Sequence, residues 1–199
     1  MKTKFKHILV ILCLSMISCE GNLEPELFDQ ITPENFLTNE DDVKTAVTGV
    51  YAEFRGISEW GRYKTSWGSV MTLQEVPTDL WAANWFYKAH TDFMWKATDY
   101  FVCEIFEFFV PAITKATALI ARIQDAPVSD DIKNRYIAEL RVVRALWMYD
   151  LFDLYGPVPA ITDPEKILNP TQDFTVTRPS REEYITFVET ELKEVINAK

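Results

Sequence analysis

Residues 129–159 read SDDIKNRYIAELRVVRALWMYDLFDLYGPVP, and the spacing of their apolar side chains decides the fold. Ile132, Tyr136, Leu140, Val143, Trp147, Leu151 and Leu154 recur every three or four positions, which sets them on one face of a long helix. Ser129 offers a capping hydroxyl at its start. Gly156 in a left-handed cap and Pro157, which cannot continue a helix, supply its stop. A stripe this apolar has to be buried against neighbouring helices.

The flanking sequence supplies those neighbours. Upstream, residues 98–124 carry Val102, Phe106, Phe109, Ile113, Ala116, Ile120 and Ile123 on one face, widened by Phe101, Ile105 and Phe108. Pro111 lies inside this run, and its missing N–H and bulky ring predict a kink or a break. Further upstream, Thr38 with Asp41 three residues later makes a capping-box-like start. Val43, Ala46, Val47, Val50, Tyr51 and Phe54 follow at helical spacing up to Gly56, and a shorter helix is predicted over residues 63–75, before Pro77. Downstream, residues 157–179 hold five of the ten prolines and read as a long irregular connection, with short pieces near 158–161 or 174–176 able to extend. Ser180 with Glu183 then opens a last helix whose stripe is Tyr184, Phe187, Val188, Leu192, Val195 and Ile196. The fold class is all-α: antiparallel helix pairs, as in bundles or tetratricopeptide-like arrays, with a Pro-rich loop before the last helix. No 34-residue repeat supports an array.

The start of the chain has a different character. Lys2, Lys4 and Lys6 precede a short apolar run over residues 8–17, too short to span a bilayer but suited to a secretory signal. Met16-Ile17-Ser18-Cys19 resembles a bacterial lipobox, with Met16 where Leu is usual, which implies a lipidated, palmitate-carrying Cys19. The alternative is an ordinary signal peptide cleaved nearby. The organisation predicted is a signal peptide over 1–18, an acidic tether over 19–38 interrupted by Pro25 and Pro33, and a helical body over 39–199. With Cys13 removed and Cys19 lipidated, Cys103 is left without an intrachain disulfide partner and reads as a buried small hydrophobe. The chain of 199 residues has a formal charge of −10, and residues 1–18 carry three lysines and no acid, so the remainder carries −13. So acidic a body does not suit a phosphate backbone, and no nucleic-acid partner is expected.

Ala138-Glu139-Leu140-Arg141, Arg144-Ala145, Tyr149, Leu151 and Tyr155-Gly156-Pro157-Val158-Pro159 resemble the most characteristic stretch of the SusD/RagB family of outer-membrane nutrient-binding lipoproteins. The order of lipobox, tether, a helix ending in Gly49-Val50-Tyr51, the Thr78-Asp79 pair, Arg178 and the Ser180 helix is similar to that family too. Where the family commonly has a Tyr and an Ala-Asn pair, this sequence has Phe109 and Ala116-Thr117. Family members are usually much longer, and the likeness is to their N-terminal, tetratricopeptide-like part. The resemblance implies capture of oligosaccharides or other nutrients at the cell surface by a protein lipid-anchored in the outer membrane. Its implied partner is a SusC-like TonB-dependent transporter.

Sugar rings stack their C–H faces on aromatic rings, and their hydroxyls seek amides and carboxylates. Residues 79–87, DLWAANWFY, concentrate such groups in the region from which family members often draw glycan contacts. The candidates are Trp81, Asn84 and Trp85, followed by Asp79 and Tyr87. The competing reading makes Trp81 and Trp85 one face of a helix packed into the core. Arg141 and Arg144, three apart on one helix, read as inter-helix ion pairs or donors to loop carbonyls rather than catalytic groups. Outside the signal segment His90 is the one histidine, and no glycine-rich phosphate loop is present, so neither catalysis, a metal nor a cofactor is predicted. Two alternatives stand beside glycan capture. One is a transporter-facing helical scaffold without glycan binding; the other is a glycoside hydrolase using paired carboxylates.

Overall fold

The computed structural model describes residues 36–55, 70–81, 87–168 and 175–197, and their regular structure is entirely helical. In chain order the helices are α1 (Glu40–Arg55), α2 (Val70–Glu75), α3 (Lys88–Thr91), α4 (Tyr100–Asp125), α5 (Asp130–Tyr155), α6 (Pro164–Leu168) and α7 (Arg181–Asn197). The signal segment, Cys19, nearly all of the tether, Asn84 and Trp85 lie outside the described residues.

α5 is the centre of the body, packing against α4, α7, α1 and α2. Its buried stripe contains Tyr136, Leu140, Val143, Trp147 and Leu151, as the spacing predicts, widened by Ala145 and Met148. α4 and α5 are linked by residues 126–129 alone and run antiparallel, so Phe109 meets Trp147 with ring centroids 6.2 Å apart and Phe106 meets Tyr155 edge-on at 5.7 Å. α7 is antiparallel to α5 on another side, pairing Phe152 with Tyr184 and Arg141 with Glu194. α1 runs parallel to α5, from the Glu40–Arg135 ion pair to the contact of Phe54 with Trp147 at 4.9 Å.

Several local expectations shift. α4 runs unbroken through Pro111. Pro111 and Glu107, whose carbonyl loses its helical donor, both lie on the exposed face, where water can take that carbonyl. The buried line of α4 includes Phe101, Ile105 and Phe109, so its first turns face the core one residue away from Val102 and Phe106. At α1 the capping box sits one residue later than Thr38 and Asp41. Asn39 Oδ1 accepts from Asp42 N at 3.0 Å, while Thr38 N and Oγ1 donate to Asp42 Oδ2 at 2.9 and 2.8 Å. Ser129 occupies the N-cap of α5 without a side-chain capping hydrogen bond, leaving Asp130 and Asp131 to favour the helix start by charge. The Ser180–Glu183 box forms as expected, with bonds of 2.7 and 3.2 Å. The 157–179 connection contains α6, and no strand occurs among the described residues. On α7 only Tyr184 and Glu191 are buried, while Leu192 and Ile196 are exposed.

The polar heart of the body lies where α4, α5 and α7 meet. Arg144 is 4% exposed. Its Nε donates to Glu191 Oε2 at 2.8 Å, its Nη2 donates to the same carboxylate, and its Nη1 donates to Thr117 Oγ1 at 2.8 Å. Thr117 Oγ1 lies 2.9 Å from Ile113 O and 3.2 Å from Ile161 O, so its single proton serves one of those carbonyls while a lone pair receives Arg144. Arg144 also lies over the Phe187 ring, 5.3 Å from its centroid. Burial pulls the guanidinium pKa down and Glu191 pulls it back up. Arg141 pairs with Glu194 and lies 3.8 Å from Glu191, so both arginines serve as the inter-helix ion pairs expected of them. Removing one member leaves the other charge buried and uncompensated, so Glu191→Ala is expected to lower unfolding free energy by about 3–5 kcal/mol in urea titrations. The double change Arg144→Met with Glu191→Leu should recover most of that loss.

Gly156 closes α5 at φ 72°, ψ −160°, a region open essentially to glycine and distinct from the left-handed cap expected. The turn it makes brings Val158 into the core. A Cβ there would meet no atom within 4 Å, so the penalty is one of backbone alone. Gly156→Ala is expected to cost about 1–3 kcal/mol in thermal or urea unfolding.

Candidate functional site

The aromatic-rich segment enters the structure from the end of α2. Thr78 N lies 3.0 Å from Glu75 O, Thr78 Oγ1 donates to the same carbonyl at 2.6 Å, and Leu80 N donates to Thr78 Oγ1 at 3.2 Å. These bonds fix a tight turn that carries Asp79, Leu80 and Trp81 outward. Asp79 is exposed, and Trp81 is 38% exposed and outside any helix. Trp81 therefore departs from the helical core reading that competed with the platform. Asn84 and Trp85 are not among the described residues. Tyr87 differs from the other candidates. It is 8% exposed, and its ring stacks on Phe101 at 5.3 Å in a small core with Val76, against which Leu73 packs. Tyr87 is therefore packed into that small core, with little of its ring open.

Beyond Tyr87 the chain forms α3 and then an irregular passage to α4. Asp92 N donates to Lys88 O at 2.9 Å, Phe93 N lies 3.3 Å from His90 O, and Met94 N donates to Ala89 O at 2.7 Å. That bond pattern ends the helix on a left-handed residue, a place usually taken by glycine. Here it is Phe93, at φ 56°. Phe93 and Met94 are consequently exposed, and Trp95 turns back so that its ring lies 6.1 Å from His90 at 17°. Asp99 Oδ2 accepts Lys96 N at 2.8 Å, which fixes the start of α4. Cys103, only half-buried, donates its thiol to Ala97 O at 3.0 Å.

These elements line a half-open cavity of about 400 Å³. Leu73, Pro77, Val102 and Leu154 give it an aliphatic wall, and the rings of His90, Trp95 and Tyr155 an aromatic one. Tyr155 is held by its own hydroxyl, which donates to Val102 O at 2.7 Å. His90 is 5% exposed, and neither ring nitrogen has a hydrogen-bond partner. Burial lowers its pKa below the ordinary 6.5, opposed by the charge of Asp99. None of these pocket residues is among the sequence candidates; their signal was a lone histidine set within an aromatic cluster, His90, Phe93 and Trp95.

Paired antiparallel helices are a fold that this chain shares with a SusD-like protein. The crystal structure of a SusD-like protein from Bacteroides fragilis matches with a TM-score of 0.63 and 22% identity, over 87% of this chain and 32% of that one. The curated relatives agree at the level of sequence, where the chain is homologous to SusD-like proteins at low identity. SusD-like protein P38 of Formosa agariphila is 25% identical, over 96% of this chain and 37% of its own length. SusD-like protein P25 of the same organism is 24% identical over 82% of this chain and 32% of its own. The chain thus spans about a third of the length of the curated relatives it matches. No family model matches.

The buried, neutral His90 gives the site a pH signature. Its folded pKa is depressed, so the stability it contributes is present above the unfolded value of about 6.5 and is lost as pH falls through the folded value. Urea midpoints are expected to fall on acidification below pH 6.5, with a smaller fall in His90→Phe. Equal slopes in both proteins would remove His90 from the account.

Proposed function

We propose that this chain works as a nutrient-binding lipoprotein of the SusD/RagB kind, lipidated at Cys19 and held at the outer membrane, without catalysis of its own. Its N-terminal organisation is then a signal peptide over 1–18, a tether over 19–38 and a tetratricopeptide-like helical body over 39–199. The observation that carries this reading is the low similarity to SusD-like proteins over nearly all of this chain and about a third of theirs, joined to helix pairs of the same fold. No helix among the described residues is long and apolar enough to cross a membrane. A lipid on Cys19 would supply membrane attachment.

Within that reading the outward turn after α2 is the glycan contact. Trp81 offers a ring face and Asp79 a carboxylate acceptor for sugar hydroxyls, with Asn84 and Trp85 completing the platform; Tyr87, buried against Phe101, is left out of it. Bound oligosaccharide would pass to a SusC-like TonB-dependent transporter. Isothermal titration against a polysaccharide panel is expected to find a binding glycan whose affinity falls at least about tenfold in Trp81→Ala and in Trp85→Ala. Wild-type affinity in both variants would end the platform assignment.

One observation favours a second reading, a transporter-facing scaffold. Val142, Leu146 and Tyr149 are exposed at spacings of four and three along α5, an apolar line on the helix that otherwise anchors the core. Co-purification with a SusC-like barrel, lost when Val142 and Leu146 are both changed to Lys, together with silence toward every glycan, would favour the scaffold.

A further inference from the structure

We propose that the cavity bounded by α2, α3 and the facing ends of α4 and α5 is a binding site for a small, neutral, mainly apolar ring bearing a single hydroxyl, a ligand of the phenol class, with His90 as its hydrogen-bonding partner. This site stands apart from the outward turn of Trp81 and does not depend on glycan binding there.

Volume, lining and the unpaired imidazole carry the proposal. About 400 Å³ exceeds the roughly 150 Å³ known to admit a benzene ring. The aliphatic wall and the rings of Trp95 and Tyr155 suit an aromatic ligand in either stacked or edge-on contact. His90 is a buried side chain of the wall whose ring nitrogens have no hydrogen-bond partner, and its neutral ring has one donor and one acceptor nitrogen. A ligand hydroxyl donating to the acceptor nitrogen would satisfy a group that is otherwise buried and unpaired.

The same inventory selects against other ligands. A pyranose carries several hydroxyls, and an apolar wall with one histidine would leave most of them unpaired, each at a cost to affinity. An anion would enter a site whose histidine is kept neutral by burial and lies within the field of Asp99. His90's nitrogens are closed to solvent, so a ligand reaches them as the irregular passage between α3 and α4, which carries the 43% exposed Trp95, shifts.

The chain has two histidines, His7 and His90, so 15N-histidine labelling of the full chain gives a direct readout. Titration with phenol is expected to shift the His90 ring nitrogens saturably, with benzene binding about fivefold or more weakly and methyl glucoside producing no shift. His90→Phe should lose the preference for phenol over benzene, measured by calorimetry, and should keep any glycan binding of the wild type. No saturable shift with phenol would overturn the proposal, as would equal affinities for phenol and benzene in the wild type. Methyl glucoside competing with phenol would overturn the ligand class. Because the nitrogen shifts are read on the wild type, the test survives a failure of the variant to fold.

Discussion

The guanidinium of Arg144 is the constraint around which the helices are arranged. A permanently charged group at 4% exposure is costly unless each of its faces is met, and two separate helices meet it. α7 brings Glu191 to the guanidinium edge and Phe187 over its plane, and α4 brings Thr117. Thr117 extends the constraint to the chain beyond α5, because its oxygen lies within bonding distance of the Ile161 carbonyl. Nonpolar contacts hold α4 on α5 over a long range of relative shifts, but a fork of donors aimed at one carboxylate and one hydroxyl does not tolerate such shifts. The apolar core supplies attraction, and Arg144 selects the register.

Much of this could be read in the sequence because it rests on period. The stripe of α5 was legible since one long helix with an apolar residue every three or four positions admits a single buried face. Arg141 and Arg144 could be read as ion-pair donors, though not which of them would be buried. Period is silent about coverage, and α7 shows the difference: its apolar line runs to Ile196, but Leu192 and Ile196 stay exposed. Capping was legible only where one reciprocal pair was available. At Ser180 there was one choice. Near residue 38, Thr38 and Asn39 compete for the cap, and Asp42, within reach of both, settles it one residue beyond the expected box.

The candidate site was less legible, for a different reason. Over residues 79–87 aromatic residues are dense enough that composition marks the region, but composition does not say which ring faces water. Trp81 and Tyr87 were near-equivalent by type, and tertiary contact separates them: the turn built on Thr78 throws Trp81 outward, and Phe101 captures Tyr87. α3 was not legible at all. Four residues hold no period, and the helix exists because His90 has rings to pack between.

Phe93 links that local structure to use. A bulky residue at positive φ is an outlier whose strain has to be offset by its surroundings, and here the surroundings include an ordered helix end on one side and the Trp95–His90 stack on the other. Glycine would end α3 with less strain, but it would remove a ring that lies 5.6 Å from Trp95. Two groups of exposed apolar residues among the described ones differ in the elements that bear them. Those on α5 and α7 sit on rigid helical faces, suited to contact with another large surface. Those on the turn after α2 and the passage after α3 sit on short irregular segments above a fixed core, where a ring can be repositioned without disturbing the Arg144 register. Function in a helical body concentrates in such places, because the scaffold keeps position while the loop side chains adapt.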